Sequence, residues 1–111
     1  MNILLHDISG INSELIDYLA HLVNTSLYLS LSGEDTIRII KDIKPELVIL
    51  GQHFVLQNPF VQLLGKLFPE LSIYLYDGQH AQSNRFNLVN YRNTQYVILD
   101  EVISAQHISQ S

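Results

Sequence analysis

The chain has no cysteine and no tryptophan, a single methionine, and only 3 prolines and 5 glycines in 111 residues. Without cysteine there is no disulfide, no thiolate metal site and no cysteine nucleophile. No glycine-rich phosphate loop is present: Ser9-Gly10 follows the first apolar run, but neither G-x-G-x-x-G nor a P-loop lysine is found. The G-x-S-x-G elbow of serine hydrolases is missing too. Basic residues are few. The six of them (Arg38, Lys41, Lys44, Lys66, Arg85, Arg92) are scattered along the sequence, and the net charge is −5. A surface of that sign without a basic patch repels phosphate backbones, so this segment is not expected to bind nucleic acid. No window approaches the roughly 18 apolar residues of a membrane-spanning helix. The opening MNILLHD lacks the basic segment and small-residue cleavage site of a signal peptide, which makes a cytoplasmic location the default expectation.

What is present is ordinary globular material. An apolar content of 47% with 15% charged residues argues against disorder, and the length fits one domain over 1–111. Short apolar runs alternate with helix-like segments. NILLH opens the chain, and Ile11, Leu15, Tyr18, Leu19 and Leu22 then recur at helical spacing, with Asn12 or Ser13 as candidate N-caps. SLYLSLS alternates apolar and polar residues, as a strand at or near a sheet edge does. In GEDTIRIIKDIKP, residues Ile37, Ile40 and Ile43 form a helical stripe between Gly33 and Pro45. ELVILG is a continuous apolar run, the mark of a strand buried on both faces. NPFVQLLGKLFPE predicts a helix with Asn58 as N-cap, Pro59 at the first helical position and Pro69 as its stop. LSIYLYDG reads as a fourth strand, QHAQSNRFNLVNYRNT as a weak helix, QYVILD as a fifth strand, and the tail as a short helix through Val102, Ile103 and Ile108. This alternation predicts an α/β fold whose parallel sheet is covered on both faces by right-handed crossovers. Ligands of such sheets sit outside the carboxyl ends of the strands.

NILLHD, KPELVIL and YVIL, together with the separation between Asp7 and Gly51, resemble the receiver domains of bacterial response regulators over nearly the whole chain. The resemblance implies a flavodoxin-like, CheY-like doubly wound sheet of five parallel strands in the order 2-1-3-4-5. Carried over residue by residue, it also implies that phosphorylation chemistry has been lost. The acidic pair that holds magnesium in the family stands here as His6 and Asp7, and an imidazole is a poor partner for that hard cation. The phosphoacceptor position is Gly51, the hydroxyl position on the fourth strand is Asp77, and the Lys-Pro after the fifth strand reads Leu99-Asp100. Tyr96 falls where the family carries its switch aromatic.

The resemblance therefore implies a pseudo-receiver. It is expected to be a non-enzymatic module without cofactor or metal, phosphorylation-independent and acting by protein association, as the regulatory part of a bacterial transcriptional regulator. Its partner would be another protein or a second copy, meeting a face that draws on Phe86, Val89, Tyr91, Tyr96, Val102 and Ile103. Any contact with DNA would run through an effector domain outside this chain; a free-standing adaptor is the other form such a module takes. The alternative from another class is a flavodoxin-like protein binding a small ligand or metal through a rim of His6, Asp7, His53, Asp77, His80 and Asp100. Against it stand the origin of these residues in four separate loops and the absence of paired histidine spacing on any one helix. His21 and His107 read as helix-surface residues, and the tyrosines of IYLY as sheet packing.

Overall fold

The computed structural model describes residues 1–6, 13–51, 55–77 and 86–110. Six strands form one sheet: β1 (Asn2–His6), β2 (Ser26–Ser30), β3 (Leu47–Leu50), β4 (Ile73–Asp77), β5 (Asn87–Asn90) and β6 (Tyr96–Ile98). Among the described residues three helices lie between strands, α1 (Ser13–Ala20), α2 (Gly33–Ile43) and α3 (Pro59–Leu67), and α4 (Leu99–Gln110) follows β6. The sheet order is β2-β1-β3-β4-β5-β6. The first four strands pair in parallel, with Ile3 opposite both Leu27 and Leu47, and Leu50 opposite Leu75. Among the described residues no helix is long and apolar enough to cross a membrane.

The pleat sorts the apolar runs into two cores. Ile3, Leu5, Leu47 and Ile49 point to one face, where Leu15 and Leu19 of α1 and Leu99, Val102 and Ile103 of α4 cover them. Leu4, Val48, Leu50, Ile73 and Leu75 point to the other, under Ile39 and Ile40 of α2 and Val61 and Leu64 of α3. The continuous runs ILL and LVIL are thus explained: every residue in them has a buried side. Helix ends obey local chemistry. The Ser32 hydroxyl caps α2 by accepting the Asp35 N–H at 3.0 Å, and the Asn58 carboxamide caps α3 by accepting the Phe60 N–H at 2.8 Å.

The second half of the sheet departs from the expectation. Where the last part of the expected helix and a fifth parallel strand were read, the described residues 86–98 fold back as a hairpin. β5 runs antiparallel to β4, pairing Leu75 with Val89 and Asp77 with Asn87, and β6 runs antiparallel to β5. The physical reason lies in FNLVNYRNTQYVI. Phe86 and Leu88 alternate with Val89 and Tyr91 between the two cores, which is the period of a strand. The following Asn-rich segment closes a turn: Asn90 Oδ1 accepts the Arg92 N–H, Asn93 Oδ1 accepts the Gln95 N–H, and Thr94 takes the left-handed region at φ 60°. Such a turn joins neighbouring antiparallel strands, so no helical crossover is needed.

Candidate functional site

At the carboxyl end of β1 the sheet carries its one buried histidine among the described residues. His6 lies on the α2–α3 face, 1% exposed, with its ring edge-on to Phe60 at a centroid distance of 5.7 Å. Its Nδ1 is 3.2 Å from the Ser30 carbonyl oxygen and 3.1 Å from the Ser30 hydroxyl. A carbonyl only accepts, so Nδ1 carries a proton and donates it. The rest of the chain of hydrogen bonds then has a fixed direction. Thr36 Oγ1 donates to the Ser32 carbonyl at 2.9 Å, so it accepts from the Ser30 hydroxyl at 2.7 Å, and that hydroxyl accepts from His6. Ser30 and Thr36 are as buried as His6. The polar chain ties β1, β2 and the first turn of α2 into one unit.

Two further features hold this corner. The Gly51 N–H donates to the His6 carbonyl at 2.8 Å and locks the ends of β1 and β3 together. Gly33 lets α2 and α3 approach closely, since a Cβ there would sit 2.9 Å from the Phe60 ring. Phe60 in turn covers His6. Sequence reasoning missed Ser30, Thr36 and Phe60. The available signal was the register of SLYLS, in which Ser30 shares a sheet face with Tyr28, and the Ser32–Asp35 capping spacing that fixes where α2 begins.

Gly51, Asp77 and Leu99 follow or end β3, β4 and β6 at the same end of the sheet as His6. Gly51 is buried at the end of β3 and offers no side chain. Asp77 ends β4, paired with Asn87 on a strand that was not expected. Leu99 directly follows β6 as the first residue of α4, fully buried, its N–H donating to the Phe86 carbonyl at 2.9 Å. Tyr96 stands on the edge strand β6, 72% exposed. Asp7, His53 and His80 lie outside the described residues. Among the described residues no three His, Asp or Glu side chains gather as metal ligands. Asp100 is engaged elsewhere: it accepts the phenol hydrogen of Tyr18 across the α1–α4 contact. Burial, with that hydrogen bond and the Asp100 charge added, pushes the Tyr18 pKa up to about 12.

The face expected for association is largely consumed by the fold. Val102 and Ile103 are core residues under the sheet, and Phe86 packs on Tyr18 and Tyr76 at centroid distances of 5.2 and 6.2 Å. Val89 and Tyr91 pack against the α2–α3 core, with the Tyr91 ring resting on Gly65. The hairpin turns these side chains inward, where a solvent-facing helix would have displayed them. Of the six, only Tyr96 is broadly exposed.

Comparison with family models, with curated proteins and with solved structures yields no match for this chain.

Proposed function

We propose that the chain is a phosphorylation-independent, receiver-like module that acts by associating with other proteins. The observation that carries the reading is the construction of the corner at His6 and Gly51. In a phosphoacceptor site this corner would need a cluster of solvated carboxylates. Here, among the described residues, it holds a buried hydrogen-bonded chain, packed by Phe60, beside a buried glycine. A buried imidazole whose Nδ1 proton is committed to a carbonyl serves the packing of the corner, and Gly51 has nothing to phosphorylate.

The parallel strands in the order β2-β1-β3-β4, with helices on both faces, support a flavodoxin-like ancestry for the first three-quarters of the fold. The β5–β6 hairpin sets this chain apart from the five-stranded pattern, and residues 86–98 of the expected pairing face belong to it. Association then has to be constitutive or set by the partner. Sedimentation velocity with and without acetyl phosphate and magnesium tests this. The expected result is one association behaviour, unaltered by the phosphodonor. A change of association state on adding it overturns the proposal.

A further inference from the structure

At the end of the sheet opposite His6, the carboxyl ends of α2 and α3 stand apart over an open groove of about 650 Å³. Its lining is mostly apolar: Ile40, Pro45, Leu67, Phe68 and Leu71 are joined by Pro69. Lys41, Lys44 and Glu70 complete the lining. The volume is in the range of binding clefts. Leu67 is 49% exposed at its edge, and Leu63, one helical turn earlier, is exposed as well.

Several backbone carbonyls of this region are already committed, whereas the Glu70 carboxylate takes part in no ion pair among the described residues. The Lys44 N–H takes the Ile40 carbonyl and the Phe68 N–H takes the Leu64 carbonyl, both at 3.0 Å. The Arg92 guanidinium takes the carbonyls of Gly65, Phe68 and Leu71. The ammonium groups are not committed. Among the described residues the ion pairs are those of Arg38 with Asp35 and Asp42, and neither Lys41 nor Lys44 takes part in one. In a chain of net charge −5, two of the six basic residues thus flank one apolar groove. Lys44 also holds a left-handed conformation, φ 54°, which glycine adopts far more readily. The position carries a cation where backbone stability alone favours glycine.

We propose that this groove is the docking site for an acidic-hydrophobic segment of a partner protein. Leucine-type side chains would fill the groove between Ile40, Phe68 and Leu71, and flanking carboxylates would meet Lys41 and Lys44. A mostly apolar lining that also carries two lysines and one glutamate fits an amphipathic segment laid along it, as in helix-in-groove recognition. The inference rests on the association reading and names the surface and the partner chemistry.

Lys44→Gly separates function from folding. It relieves the left-handed backbone while removing the charge, so the melting temperature is expected to rise or hold. The probe is a labelled amphipathic peptide with leucines one helical turn apart and flanking glutamates, beside the same peptide with lysines in place of the glutamates. The glutamate peptide is expected to bind, with amide shifts centred on Ile40, Lys44, Leu67 and Leu71. Lys44→Gly should weaken it about fivefold at low salt. Leu67→Ala should weaken it with the fold retained. Equal binding of the lysine peptide, unchanged affinity in Lys44→Gly, or shifts centred elsewhere would overturn the assignment. If the parent still associates in sedimentation, and Lys44→Gly does so equally, the groove assignment falls while the association reading stands. If the chain neither binds the peptide nor associates, both fall.

Discussion

The Nδ1 of His6 and the hydroxyl of Ser30 lie 3.1 Å apart in a part of the molecule closed to water, and the Ser30 carbonyl fixes which of them donates. This contact makes the end of β1 a structural joint. It also means that the residue type at position 6 matters by its donor.

His6→Asn keeps an N–H near the place of Nδ1, whereas His6→Asp puts a carboxylate against the Ser30 carbonyl. Removing a buried donor or burying a charge unpaired costs more than losing ring contacts alone. The asparagine variant is expected to lose about 1–2 kcal/mol and the aspartate variant about 3 kcal/mol or more at pH 7. Urea unfolding of both measures this. An aspartate variant as stable as the parent would show that the corner is solvated.

Thr36→Val removes the acceptor of the Ser30 hydroxyl and leaves a buried O–H without its partner. The expected loss is about 1–3 kcal/mol, with Thr36→Ser closer to the parent because the hydroxyl is kept. Equal stability of the valine and serine variants, again by urea unfolding, would contradict the role assigned to the Thr36 hydroxyl.

Arg92 binds three carbonyls at the end of α3 and lies over the Tyr91 ring, its guanidinium carbon 5.3 Å from the centroid. A single ammonium cannot reproduce that fork. Arg92→Lys is therefore expected to lose about 1 kcal/mol even though the charge remains and the site is exposed. Hydrogen exchange should show the last turn of α3 opening first. Unchanged exchange there would remove the clamp from the account.

Much of this fold was legible in the sequence. Pro45 and Pro69 mark helix ends, Asn58-Pro59 a helix start, and LVIL a strand buried on both faces. The β5–β6 hairpin was missed because FNLVNY carries no strong propensity. Its period of two emerges only when Phe86 and Leu88 meet one core while Val89 and Tyr91 meet the other. The place of Gly51 just past a buried strand was legible from ELVILG. The role of His6 was not, because it depends on Ser30 and Thr36, which come together only when β2 docks beside β1 and α2 begins at Gly33. Leu99 was assigned to a strand end because helix α4 starts without a capping signal that marks it off from QYVIL.

Alkaline stability tests the α1–α4 contact. The folded pKa of Tyr18, about 12, is raised above the ordinary value of 10.0, so the folded chain holds this proton more tightly than the unfolded one. The contribution is fully present below pH 10 and is lost as the pH rises toward 12. Tyr18→Phe should therefore show a shallower loss of stability over that window, followed by circular dichroism at fixed urea. An identical slope in parent and variant would show that the Tyr18–Asp100 hydrogen bond does not persist in solution.

Intact mass after incubation with acetyl phosphate and magnesium is the most direct test of the central claim. With Gly51 at the end of β3 and His6 committed to Ser30, the account predicts an unmodified mass at every donor concentration. A stoichiometric phosphoryl adduct, mapped to Asp7 or Asp77, would contradict it.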